Sequence, residues 1–234
     1  MAKKNEQTVA VENNDVLNAS EAFFLKNKKV ILGVIAAIII IIVGALLWNQ
    51  YVTKPKNEEA STVLAKGEQY MQNQQYDKAL NGDGSGFPGF LKMVSDYSGT
   101  GAGNLANLYA GQCYAHQAKP DWKNALKYLK EYEPSKKSLT AAFAQYALAA
   151  AYVNNNQLDE GVSAYKKAAD MANSIAVDGA NNSIAPLALK EAGIILEKQG
   201  KKADAQAIYE SIKKDYPASA VAQDIDKYIE ATKN

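Results

Sequence analysis

The sequence predicts an all-α chain: one transmembrane helix followed by an α-solenoid of repeated helix pairs. Three observations carry that expectation. Residues 30–48 hold no charged side chain, and 13 of these 19 are Ile, Leu or Val. Residues 49–234 contain no run of alternating β-branched residues, the pattern that marks strands. Small and aromatic residues recur there at a fixed internal spacing in four successive stretches. The expected organisation is an N-terminal segment, 1–29, a span, 30–48, a linker, 49–57, and a helical domain, 58–234.

Taken in order, residues 1–14 are polar enough to lack fixed structure. Ser20 is placed to cap a short helix carrying Ala22, Phe23, Phe24 and Leu25. Phe23 and Phe24 would lie at the inner headgroup level, seated in lipid or docked on a membrane partner. The run Val30–Trp48 is about 28 Å long at 1.5 Å per residue, close to the ~30 Å hydrocarbon core. At roughly −0.3 to −0.6 kcal/mol per Ile, Leu or Val, insertion is favourable by on the order of 5 kcal/mol. Twenty-nine residues precede the run and no small-x-small site follows it, so it reads as an uncleaved signal anchor. Trp48 and Tyr51 would anchor the far interface. Lys26, Lys28 and Lys29 flank the near side and Lys54 and Lys56 the far side. Lys28 and Lys29 abut the span, which favours the N-terminus inside and the C-terminal domain outside. Thr53–Asn57, with Pro55, reads as the polar linker.

Composition then limits the function. The 26 basic residues are all Lys and face 25 acidic ones, a balance of +1. A near-neutral chain is poorly suited to nucleic acid, whose binding rests on phosphate neutralisation. Without Arg there is no bidentate clamp for phosphate or carboxylate. One Cys (Cys113) and one His (His116) rule out an internal disulfide and a Cys/His zinc site. Nothing calls for a cofactor, and no carboxylate pair suggests acid–base chemistry. The chain reads as a non-enzyme, with a hydrolase or transferase as the remotest reading.

The helical domain repeats a pattern. Gly193 and Leu196 stand three apart, Ala205 follows twelve after Gly193, Tyr209 four later, and Pro217 eight beyond. Gly200 lies in the turn. This is the tetratricopeptide pattern: two small residues let a helix pair approach, an aromatic fills the space beside them, and Pro stops the second helix. Ala149, Tyr152, Gly161, Tyr165 and Ala168 keep the spacing, and Gly67, Tyr70 and Ala79 keep its first part. Gly111, Tyr114, Ala125 and Leu129 fit if the turn at Lys119–Trp122 holds two extra residues. The starts are 44, 38 and 44 residues apart, longer than 34, so the units carry insertions at Asn81–Phe87 and Val177–Ser183. A last helix, Ser219–Thr232, would cap the stack.

Several constellations carry less than they first offer. Asn81, Asp83 and Ser85 resemble the start of a calcium loop, but the twelfth position is Lys92, not Glu. Cys113 and His116 share a helix side and read as a core thiol beside a polar neighbour. Asp159 and Glu160 read as helix-start charges. A stacked repeat builds a groove from its first helices. In this register that groove would present Met71, Gln112, His116, Tyr146, Val153, Asn154, Lys190 and Glu197, a mixture suited to an extended peptide or a partner helix.

The order of parts (Glu21–Phe24, a Lys cluster, one span, Trp48 and Tyr51, then tetratricopeptide units) resembles the YfgM-like family, ancillary subunits of the SecYEG translocon. Ala79–Gly84, Gly103–Ala106 and Ala110–Tyr114 look like the version found in Bacteroidetes-type bacteria. The resemblance covers roughly residues 15–234. It implies a single-pass protein of the bacterial inner membrane, N-terminus cytoplasmic, with its repeats in the periplasm. It also implies protein partners: translocon subunits, a membrane-anchored periplasmic chaperone of the prolyl-isomerase-like type, and client polypeptides. It brings no catalytic residues. The expectation is a tethered adaptor whose confinement raises the effective concentration of its partners. The alternative is a scaffold for envelope assembly or division, organised as a homo-oligomer.

Overall fold

The computed structural model describes residues 3–134 and 137–233. It is all-helical, without a strand among the described residues. Two compact units divide it, Met1–Pro55 and Lys56–Asn234.

In the first unit α1 runs Lys3–Trp48 and is followed by a π-helical stretch, Asn49–Thr53. Residues from Lys3 onward are therefore helical where an irregular segment was expected. Ser20 lies inside α1, not at its start, and its side chain, like that of Ala22, falls outside the described residues. The physical reason is nucleation. An apolar helix already formed extends at one hydrogen bond per residue, and 3–29 contain neither Gly nor Pro to stop it. Over residues 30–48 apolar side chains cover the helix on all sides: Ile40 and Ile41 are 71% and 70% exposed, and its most apolar stretch has no protein over it. By length and composition this helix can cross a membrane.

The expected linker is helical too. After the π-helical stretch, α2 runs Lys54–Gln72 with Pro55 in its first turn. Pro55 offers no N–H to the carbonyl four residues back, that of Tyr51, and its ring would collide with it. A wide turn at that point removes the conflict without ending the helix.

Among the described residues the second unit holds ten α-helices, starting with α2. In order they continue as α3 Tyr76–Asn81, α4 Phe90–Asp96, α5 Gly101–His116 and α6 Trp122–Glu131. Then come α7 Leu139–Asn154, α8 Leu158–Asn173, α9 Ile184–Lys198, α10 Lys202–Asp215 and α11 Ile225–Lys233. Three hairpins, α2/α3, α7/α8 and α9/α10, share one turn, and α5/α6 carries an expanded version of it. The first helix ends in a left-handed residue at Gln74 (φ 57°), Asn156 (φ 61°) and Gly200 (φ 76°). Each lies seven residues after the small residue of its unit. The next amide then donates back to a carbonyl at the same register position: Gln75 to Tyr70 (2.8 Å), Gln157 to Tyr152 (3.0 Å) and Lys201 to Leu196 (2.9 Å). In the α5/α6 hairpin the donor to Tyr114 is Asp121 (3.0 Å), two residues late, as the spacing predicts.

Helix starts are set by side-chain caps. Thr100 Oγ1 accepts from Gly103 N, Asp121 Oδ1 from Asn124 N and Ser138 Oγ from Ala141 N, at 2.9, 3.0 and 3.1 Å. Inside the hairpins the small residues touch what the repeat requires. A Cβ on Gly193 would lie 2.3 Å from Tyr209 Cε1, and one on Gly111 2.6 Å from Leu129 Cγ. Three apolar clusters follow the chain, centred on Phe87 and Phe90, on Leu108 and Leu129, and on Tyr165 and Tyr209.

Two elements differ from expectation. The second helix of the first unit stops at Asn81, and the added helix α4 supplies what it lacks: Phe90 and Phe87 pack on Gly67. The C-terminal cap is not one helix from Ser219. Ser219 starts a 3-10 turn, Ala220–Asp224, and α11 begins only at Ile225.

Candidate functional site

Three of the first helices, α5, α7 and α9, carry a matching set of register positions on one side. On α7 the residues six and three before Ala149, and one, four and five after it, are Phe143, Tyr146, Ala150, Val153 and Asn154. A period of 3.6 places them on one side of the helix. The same positions on α9 are Leu187, Lys190, Ile194, Glu197 and Lys198, and on α5 Leu105, Leu108, Gln112, Ala115 and His116.

The sequence-derived positions have different surroundings. His116 and Asn154 are exposed. His116 stacks on Tyr76 at 5.6 Å, and Asn154 Nδ2 donates back to Ala150 O at 2.8 Å. Gln112 and Lys190 are half-buried. Met71 packs on the Phe87/Phe90 cluster. Tyr146 meets Tyr165 edge-on at 5.0 Å, and burial with the nearby Glu191 raises its phenol pKa. Val153 Cγ2 lies 2.5 Å from where a Gly161 Cβ would stand, so it fills the α7/α8 hairpin. Glu197 Oε2 accepts from Tyr209 Oη at 2.7 Å, and burial and this carboxylate raise the Tyr209 pKa. Met71, Tyr146, Val153 and Glu197 thus have packing duties beside any role on the face. In the other unit Phe23, Phe24, Trp48 and Tyr51 are all exposed, and the two Phe rings meet edge-on at 6.4 Å.

The face also carries residues that the register had left out. Phe143 is 50% exposed, Leu187 42%, and Leu139, one turn before Phe143, 56%. Phe143 and Leu187 stand 44 residues apart, the same interval as Ala149 and Gly193, so they occupy one register position on neighbouring first helices. Leu105 holds that position on α5 and is half-buried. The missing signal was an apolar residue six before the small one in the last three units. Large apolar side chains exposed on packed helices mark contact surfaces, whereas isolated ones do not.

The remaining constellations are structural. Asp83 Oδ1 accepts from Ser85 N (2.8 Å) and Phe87 N (2.9 Å), and Oδ2 from Tyr70 Oη and Lys66 Nζ, both 2.8 Å. Lys66, with the Phe87, Ser85 and Tyr70 hydrogen bonds, holds this carboxyl well below its usual range. Both carboxylate oxygens of Asp83, the charged group of the loop that resembled a calcium site, are spent on the chain itself. Cys113 is buried in the core, and burial alone pushes its thiol up to about 12. Among the described residues no three His, Cys, Asp or Glu side chains form a group able to hold a metal ion. The hollows of the surface are open and shallow; the one over the start of α5, about 460 Å³, is lined by Thr100, Asn104 and Glu133 among others. No protein-family model matches the chain, and neither a curated protein nor a solved structure matches it.

Proposed function

We propose that this protein is a membrane-anchored tetratricopeptide adaptor that binds other proteins on the first-helix face of its repeats. The observation that carries the reading is the exposed apolar set Leu139, Phe143 and Leu187, in which Phe143 and Leu187 hold one register position on α7 and α9. A half-exposed Phe gives up about 100 Å² on binding, worth about 2 kcal/mol. Two or three such contacts support a weak docking site, and confinement by the span makes a weak site sufficient. The flanking Gln112, His116, Asn154 and Lys190 would orient the partner by hydrogen bonds.

The order of parts and the Lys cluster before the span support the finer reading. The N-terminus lies in the cytoplasm and the repeats in the periplasm of a bacterial inner membrane. The partners are Sec translocon subunits, a membrane-anchored periplasmic chaperone and client polypeptides. Photocrosslinking in cells from positions 143, 112 and 190 tests it, together with purification in mild detergent. Adducts with translocon or chaperone subunits are the expected result. Adducts only with a second copy of the chain would replace the adaptor with a self-associating scaffold. Protease added to spheroplasts should digest the repeats; digestion only after lysis would invert the topology.

A further inference from the structure

A second surface lies away from the first-helix face. Residues 119–137 carry six Lys against three acidic residues, although over residues 49–234 as a whole 21 Lys meet 21 acidic residues. On α6, Lys123, Lys127 and Lys130 follow at intervals of four and three, so they share one face, and all three are exposed. Lys119 and Lys137 flank the helix and are exposed as well. None of these five is in an ion pair: the pairs among the described residues use Lys66, Lys92, Lys201, Lys213, Lys227 and Lys233.

Of the nearby acids, Asp121 is engaged. Both Asp121 oxygens serve the helix start, accepting from Asn124 N at 3.0 Å and Asn124 Nδ2 at 2.7 Å. Glu131 and Glu133 line the hollow over α5. The ammonium groups of Lys127 and Lys130 lie over aromatic rings, Lys127 Nζ 5.0 Å from the Tyr128 centroid and Lys130 Nζ 5.9 Å from that of Tyr152. Both side chains stay exposed, so the rings hold these charges in place at the surface.

We propose that this α6 face docks the domain onto anionic lipid headgroups. The argument for lipid is complementarity with tethering. Lysine, a strongly hydrated point charge, suits a diffuse array of headgroup phosphates and does not need bidentate geometry. A basic face gains about equally from each Lys near an anionic bilayer. The chain also carries a helix able to cross a membrane, which holds headgroups at high effective concentration. Docked in this way, the domain would lie against the bilayer with α6 down.

The full chain, reconstituted in nanodiscs of phosphatidylcholine alone or mixed with phosphatidylglycerol, tests the proposal through amine modification read by mass spectrometry. Lys202 and Lys214, exposed and outside any ion pair, serve as internal references. In anionic discs, modification of Lys123, Lys127 and Lys130 should slow by roughly tenfold relative to the references. The slowing should vanish near 1 M salt, where the Debye length falls to about 3 Å. The triple variant Lys123→Gln/Lys127→Gln/Lys130→Gln keeps helix propensity and should release Lys119 and Lys137 from protection. Equal modification in both discs overturns the proposal, as does protection that survives high salt. Protection that needs added polyglutamate and ignores phosphatidylglycerol overturns it in favour of an acidic protein.

Discussion

Replacing Gly193 and Gly101 by Ala should move stability in opposite directions. Both glycines lie in first helices with φ in the ordinary range. Alanine is preferred to glycine by about 1 kcal/mol within a helix and also restricts the unfolded chain. At Gly101 a Cβ meets nothing within 4 Å, so the gain stands, reduced to about 0.5 kcal/mol at a first helical position. At Gly193 the Cβ would lie 2.3, 2.7 and 3.1 Å from Tyr209 Cε1, Cζ and Cδ1. Carbon atoms prefer about 3.5–4.0 Å, so the ring would have to retreat by more than an ångström. It cannot. Tyr209 is fully buried, its hydroxyl is bonded to Glu197 on the same helix as Gly193, and its ring lies 5.4 Å from that of Tyr228. Overpacking costs about 1–3 kcal/mol, and with three atoms of an immobile ring this close the site lies in the upper part of that range, about 2–3 kcal/mol. Set against the propensity gain, Gly193→Ala should lose about 1–2 kcal/mol. For a unit of this size that lowers Tm by about 2–8 °C, while Gly101→Ala raises it by about 1–2 °C. Circular dichroism at 222 nm on the detergent-solubilised chain reads both. If Gly193→Ala melts at or above the parent temperature, α9 and α10 do not pack at this distance and the repeat register is wrong.

Three other outcomes are expected. Phe143→Ser should weaken partner capture by roughly thirtyfold, from the ~2 kcal/mol of lost burial, and leave the melt within about 0.5 kcal/mol, read by crosslinking yield and thermal denaturation. Cys113 should resist iodoacetamide at pH 8 until the chain unfolds. With the thiol raised from 9.0 to about 12, its thiolate is roughly a thousandfold scarcer, and mass spectrometry across a urea series should show alkylation tracking unfolding. Asp83→Asn should lower stability at neutral pH, and the gap should close in acid. The folded carboxyl titrates below its unfolded value of about 3.9, so its contribution is complete above that value and is lost as pH falls through the lower folded one. Parallel urea curves with a constant gap down to pH 2 would exclude the carboxylate as the cause.

How much of this was legible differs by element. The apolar run 30–48 and the Gly193/Ala205/Tyr209 spacing announced the long apolar helix and the last hairpin, because each is a pattern local in sequence. The two-residue expansion before Asp121 was legible for the same reason. The linker was not. Pro55 reads as a helix stop, and only the wide turn at Asn49–Thr53 lets the helix pass it. Among the face residues, those chosen for helical phase alone included Val153 and Glu197, whose side chains are claimed by the second helix of their own pair. Phase fixes the side of a helix. It does not show how far the neighbouring helix reaches around that side, and so exposed Phe143 and Leu187 were passed over.

The first unit makes the same point about substitution. Sixteen residues after its small residue Gly67, where the later hairpins place Tyr165 and Tyr209, stands Asp83. A carboxylate cannot fill the space beside a glycine in an apolar hairpin, and α3 ends before reaching it. The loop that follows solves both problems. It turns Asp83 toward Lys66 and Tyr70 on α2, which satisfy its charge, and brings Phe87 back so that its ring and that of Phe90 would lie 2.7 and 2.4 Å from a Cβ on Gly67. The unit keeps a large aromatic against its small residue but draws it from a later stretch of chain. The added helix α4 is the consequence: the insertion that breaks the sequence pattern is what preserves the packing the pattern encodes elsewhere.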